Sequence, residues 1–113
     1  MSSVITWAEF ERVDLRVGTV LEVQDFPKAR KPAYQLKIDF GSEIGILQSS
    51  AQITVHYTKE ELLGKQVVAV VNFPKKQIAN FFSECLVTGF ADEKGDIILT
   101  SVDKKLPNGA KLS

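Results

Sequence analysis

From Leu15 the chain takes up a period of two. Leu15, Val17, Thr19, Leu21 and Val23 fall on one side, and Arg16, Gly18, Glu22 and Gln24 on the other. Successive side chains of a strand leave opposite faces, so this is a long, half-buried strand. Gly18 inside it marks a bulge or strong bend. A long strand that bends is what a small barrel is built around.

The remaining elements follow in a fixed order. Phe26 to Pro32 carries two prolines and reads as a loop. Tyr34, Leu36, Ile38 and Phe40 alternate with Gln35, Lys37 and Asp39, a second strand that Gly41 stops. Residues 45–48 form a short third strand, followed by a small polar run at 49–52. Thr58 and Glu61 make a capping box, in which each side chain satisfies an amide at the helix start. The short helix it opens ends near Gly64. Residues 66–71 are nearly continuous in apolar, mostly β-branched residues, which predicts a central strand covered on both faces. Residues 72–84 read as a connecting loop and 85–90 as a fifth strand. A second capping box, Thr6 and Glu9, opens a helix over about 7–12, and residues 97–100 add a late strand. One helix between the third and fourth of five strands is the signature of the OB-fold. The expectation is an all-β, five-stranded OB-fold barrel with short helices. It forms a single domain, 1–113, with its core at about 14–90 and extensions at 1–13 and 91–113.

Formal net charge is zero, which argues against coating nucleic acid by bulk charge. The distribution is uneven, however. Residues 26–37 carry Lys28, Arg30, Lys31 and Lys37 with no acid, and residues 72–83 carry Lys75 and Lys76 with none. In an OB-fold these segments are the two loops that flank the binding face. Lys28, Arg30, Lys31, Lys75 and Lys76 are therefore candidates for phosphate contact. Phe73, Phe81 and Phe82 are candidates for stacking bases or gripping apolar peptide. Asn72, Asn80, Gln48, Ser49 and Ser50 offer hydrogen bonds to base edges or to the 2′-hydroxyl of RNA. The bland alternative has solvated lysines and phenylalanines that plug the barrel mouth. Phe81 and Phe82 are adjacent, so on an extended segment they do not both point inward.

Catalytic groups are sparse. His56 is the lone histidine and lacks zinc-ligand spacing. Cys85 sits among apolar residues and reads as a buried small hydrophobe. Glu60 and Glu61 suit the first turn of a helix, and Asp14 and Arg16 suit a local ion pair. No glycine-rich phosphate cradle or acid/base pair stands out, so neither an enzyme nor a cofactor or metal is expected. The single cysteine fits a reducing compartment. With no apolar run of about 18 residues and no secretory leader pattern, the expectation is a cytoplasmic protein. Trp7, Phe10, Ile97 and Leu99 lie outside the five barrel strands and are candidates for a two-fold homodimer interface.

Several of these residues occur as motifs in order. Asp14-Leu15-Arg16-Val17-Gly18-Thr19-Val20, Asp25-Phe26-Pro27-Lys28-Ala29-Arg30, Ile38-Asp39-Phe40-Gly41, Asn72-Phe73-Pro74-Lys75-Lys76 and Ser83-Glu84 resemble the tRNA-binding domain. That domain is shared by small bacterial tRNA-binding proteins, the methionyl-tRNA synthetase C-terminal extension and the EMAP II-like cytokines. Ser49-Ser50-Ala51-Gln52-Ile53-Thr54, with the stretch from Val70 through Pro74 to Ile78-Ala79 and Phe82-Ser83-Glu84, resembles its CsaA branch. The resemblance implies an OB-fold homodimer that binds tRNA and catalyses nothing. For the CsaA branch it implies a chaperone role in protein export, with unfolded preproteins and the Sec motor ATPase as partners. A trans-acting docking module for an aminoacyl-tRNA synthetase is the other function it implies. By carry-over, Lys28, Arg30, Ser49, Asn72, Lys75, Lys76 and Ser83 contact ligand. Two departures stand out. Many relatives have Ser-Gly-Leu where this chain has Ser49-Ser50-Ala51, and Gly where it has Asn80, a residue that tolerates left-handed backbone.

Overall fold

The computed structural model describes residues 2–113. Its spine is β1 (Leu15–Asp25), whose first half pairs with β4 (Gln66–Val70) and whose second half pairs with β2 (Tyr34–Asp39). With β3 (Ile46–Ala51) and β7 (Leu86–Val87) they form an antiparallel sheet in the order β3-β2-β1-β4-β7. The sheet curls into a nearly closed barrel, the all-β OB-type architecture that the element order predicts.

The bulge in β1 is not at Gly18. Pairing with β2 shifts register between Val20 and Glu22, leaving Leu21 as the extra residue. Leu21 is accordingly exposed, while Val20 is buried and Val23 packs against the core. The single face expected from Leu15 to Val23 is thus broken, because a bulge inverts the alternation beyond it. Gly18 has a different role. A Cβ there would lie 2.6 Å from Ile38 Cγ2 and 2.7 Å from the Phe40 ring. The missing side chain lets β1 press onto Ile38 of β2 and Phe40 just past its end.

Tyr34, Leu36, Ile38 and Phe40 are buried, as their alternation predicts. β3 is longer than expected. Ser49, Ser50 and Ala51 belong to it, opposite Leu36, Gln35 and Tyr34. Their small side chains read as a loop in isolation, but pairing with a bulky neighbouring strand overrides that local preference. Both capping boxes form. In α1 (Trp7–Glu11) the Glu9 amide donates to Thr6 at 3.1 Å, and in α2 (Lys59–Leu62) the Glu61 amide donates to Thr58 at 3.2 Å. Leu62, fully buried, fastens α2 to the main core beside Val67 and Ala69.

The expected fifth strand divides into β7 and β8 (Gly89–Ala91), and β8 pairs with β9 (Ile97–Leu99). Leu99 is buried in the barrel core and Ile97 packs against it. Leu99 is therefore core rather than dimer surface, because β9 carries it back onto the barrel. Past β9, residues 109–112 run along the start of β1. The Val17 amide donates to Ala110 O at 2.9 Å, and the Leu112 amide donates to Leu15 O at 2.9 Å. No helix among the described residues is long and apolar enough to cross a membrane.

Candidate nucleic-acid interface

Residues 72–84 are not a simple loop. They contain a hairpin, β5 (Lys76–Ile78) and β6 (Phe81–Ser83), with Ile78 opposite Phe81 and Lys76 opposite Ser83. The left-handed position in its turn is Ala79, at φ 54°, rather than Asn80. On β6, neighbouring residues face opposite ways. Phe81 is buried and Phe82 is 47% exposed.

The inward ring of Phe81 meets Phe26 with centroids 5.3 Å apart. Ala33 is buried with them, and Ala29 and Ile78 pack alongside. This is a second, smaller core, separate from the barrel's. Two of its members come from the β1–β2 loop and one from the hairpin, so it binds the two basic segments to each other. An aromatic pair of this geometry contributes about 0.5–1.5 kcal/mol beyond burial. Phe81 is thus a strut and not a stacking platform, which leaves Phe73, 53% exposed, and Phe82 facing solvent.

The cations belong to the two segments that this strut joins. Lys28, Arg30, Lys31, Lys75, Lys76 and Asn80 are exposed. Lys75 Nζ lies 3.5 Å from Glu84 Oε2, and Lys37 pairs across β1 and β2 with Glu22 at 3.3 Å.

Four of the polar candidates are committed to the protein itself, Gln48 among them through its side-chain bond to Phe82 O at 2.9 Å. Ser49 is fully buried, with its hydroxyl 3.1 Å from Cys85 O; it closes the barrel and does not face a ligand. Asn72 Nδ2 donates to Arg12 O at 2.7 Å, and Asn72 Oδ1 accepts from the Asp14 amide at 3.0 Å. It clasps the segment joining α1 to β1. The Ser83 hydroxyl accepts from the Ser50 amide at 3.2 Å. Phe26 and Glu84 are the participants that sequence reasoning missed. An aromatic residue opening a proline-bounded loop was the available signal for Phe26.

Beside the hairpin lies a groove of about 1010 Å³. Its walls include Ile53, Phe73, Leu86 and Ile97, and Lys75 and Lys76 also line it. The face has apolar surface and cations side by side, and little that could do chemistry. Burial pushes the Cys85 thiol up to about 12, so no thiolate forms near neutral pH. His56 Nε2 sits 2.7 Å from Asp92 Oδ2, joining the residues before α2 to the β8–β9 turn. Among the described residues no group of three His, Cys, Asp or Glu side chains could hold a metal ion.

Comparison with known proteins is consistent with this geometry. A family model described as a putative tRNA binding domain matches residues 15–111. Methionine–tRNA ligase of Methanocaldococcus jannaschii is 34% identical over 102 residues, covering 90% of this chain and 15% of the ligase. The chain thus spans a small part of that enzyme. The crystal structure of chaperone CsaA from Bacillus anthracis is 50% identical, with a TM-score of 0.92 over 98% of this chain and 100% of that one. The CsaA chaperone protein of Picrophilus torridus is 51% identical, with a TM-score of 0.91 over 97% and 100%.

Proposed function

The chain belongs to the putative tRNA-binding-domain family, and on that premise we propose that it is a non-catalytic, cytoplasmic homodimer that binds tRNA through its two joined basic segments and also acts as a chaperone for exported proteins. The carrying observation is the contact of Phe26 with Phe81. By joining the two basic segments it would bring Lys28, Arg30, Lys31, Lys75 and Lys76 within reach of one ligand, in a chain whose net charge is zero. Affinity then comes from a local positive field meeting phosphates, with Phe73 and Phe82 available to stack on bases at about 1–3 kcal/mol each.

Titration of total tRNA at several salt concentrations tests this. The log–log slope falls by about 0.7–0.9 for each phosphate contact removed, so a Lys75→Ala/Lys76→Ala variant binds more weakly with a shallower slope. Equal binding with an unchanged slope would sink the assignment of the hairpin.

The chaperone reading is favoured by whole-chain likeness to two CsaA chaperones and by the partly apolar groove beside the hairpin. Extended apolar segments of unfolded preproteins would lie there, for handing on to the Sec motor ATPase. Suppression of client aggregation that resists salt and is lost in Phe73→Ala/Phe82→Ala supports it. Indifference of every unfolded client to the protein counts against it. The alternative, a trans-acting tRNA-docking module for an aminoacyl-tRNA synthetase, draws on the likeness to one segment of a methionine–tRNA ligase. Co-purification with a synthetase would favour it.

A further inference from the structure

Two of the candidate phosphate-binding segments' cations face carboxylates, Lys37 facing Glu22 and Lys75 facing Glu84, and Glu84 is also tied into the barrel. That tie lies at the seam of the barrel. Residues 82–85 lead from β6 toward β7 beside β3, with which they form no regular ladder. Gln48 of β3 directs both of its main-chain groups to Glu84. Its carbonyl accepts from the Glu84 amide at 2.8 Å, and its amide donates to Glu84 Oε1 at 3.0 Å. A neighbouring strand would supply a carbonyl for that amide; here a side-chain oxygen supplies it, because a main-chain donor in a seam needs a partner. The Gln48 side chain returns a bond to Phe82 O at 2.9 Å. The other carboxylate oxygen faces Lys75 Nζ at 3.5 Å.

We propose that Glu84 is a positioning residue with two linked effects: Oε1 fixes the β5–β6 hairpin against β3, and Oε2 restrains Lys75, so that an RNA phosphate must compete with it for that cation. This rests on the tRNA-binding reading above and adds a restraint to it. Lys75 is 68% exposed and Glu84 23%, so the long, half-solvated contact adds little to folding. Its consequence is for binding: the seam requires an acceptor at this point, and a charged one lowers the attraction for phosphate.

Two substitutions separate the effects. Glu84→Gln keeps an acceptor for the Gln48 amide and removes the charge. It is expected to leave Gln48 hydrogen exchange slow and to tighten binding of total tRNA by about two- to fivefold at low salt. The log–log salt slope steepens by about 0.7–0.9, and the gain disappears in a Lys75→Ala background. Glu84→Ala removes the acceptor as well. Exchange at Gln48 quickens and tRNA binding falls below that of Glu84→Gln. Parent-like affinity and slope in Glu84→Gln would overturn the restraint, as would a gain that persists without Lys75. Slow Gln48 exchange in Glu84→Ala, with tRNA binding equal to that of Glu84→Gln, would overturn the positioning. Should Glu84→Ala not fold, the Glu84→Gln and Lys75→Ala arms still decide the restraint. If the parent itself fails to bind tRNA, the underlying reading falls and this proposal with it; if the parent binds and Glu84→Gln changes nothing, this proposal alone falls.

Discussion

Phe26 and Phe81 lie with ring centroids 5.3 Å apart and planes tilted by 58°, and they come from segments that share no strand pairing. Their contact makes a single surface of two loops. Removing either ring is a change of shape as well as of stability. Phe81→Ala is expected to cost about 3 kcal/mol, the lower end for a buried Phe, and to weaken tRNA binding because Lys75 and Lys76 lose their fixed relation to Lys28–Lys31. Phe82→Ala, on the opposite face of the same strand, leaves the melting temperature near that of the parent. It reduces RNA affinity by about 1–3 kcal/mol if the ring stacks. Thermal unfolding read beside tRNA titration distinguishes the two rings; equal melting temperatures would contradict the strut.

Asn72 is expected to act on the N-terminal segment. Asn72→Ala removes an acceptor from the Asp14 amide and a donor from Arg12 O, at a cost of about 1–3 kcal/mol. Limited proteolysis reads it directly. Cleavage before Leu15 speeds up in the variant, while the barrel persists. A protease pattern identical to the parent's would show that the clasp is dispensable.

The Cys85 thiol is pushed from an ordinary 9.0 to about 12 by burial, with Glu84 adding to the rise and the Ser49 hydrogen bond opposing it. Protonated thiol is therefore favoured in the folded state. The resulting stability is whole below about pH 9 and drains away as pH climbs toward 12, because only the unfolded chain ionises readily in that window. Denaturant titrations between pH 8 and 11 should show a decline that Cys85→Ala lacks. Native protein should also resist maleimide at pH 8 until denaturant is added.

The carboxyl of Asp92 is held below the usual carboxylate range, first by the His56 hydrogen bond and then by the amides of Asp96 and Lys94. A lowered carboxyl stabilises the fold above its unfolded value and ceases to do so as acid protonates it, so this contribution disappears below about pH 4. In His56→Ala the Asp92 titration, followed by NMR, should move upward part of the way, since the two amides remain. No movement would mean that the ring contact is absent in solution.

Trp7 is the only tryptophan in the chain and is 66% exposed, as Phe90 is at 75% and Ile98 at 46%. If two copies meet through these residues, concentrating the protein shifts Trp7 emission to the blue and doubles the sedimenting mass. Trp7→Ala and Phe90→Ala then favour the single chain. Emission that is independent of concentration, at a monomer mass, would refute the proposed homodimer.

The sequence displayed some of this plainly. Tyr34 to Phe40 alternates without interruption, and both Thr–Glu capping boxes depend on neighbours three residues apart; such local signals survive in the fold. What was hidden depended on distant partners. The extra residue in β1 is decided by how β2 must curl, so Gly18 was a misleading marker for Leu21. Ser49 looks like a loop residue until Leu36 is set opposite it. Leu99 reads as a peripheral apolar residue until β8 and β9 fold it under the barrel. In the candidate site the exposed cations could be named from charge alone. Which Phe of the hairpin faces outward, and what the exposed Asn72 is tied to, were settled by residues far away in the chain, Phe26 and Arg12.

The bond from the Leu112 amide to Leu15 O, 2.9 Å long, places the chain's way into the barrel beside its way out. A fold entered and left at one point behaves as a cassette: a host chain can carry it on a single short stalk, and a brief linker can join its own ends into a ring. Circular permutation opening at the exposed β8–β9 turn near Lys94 should therefore preserve the barrel, whereas cutting before Gly109 would strip the start of β1 of the tail that pairs with its other edge and leave that edge raw for other strands to join.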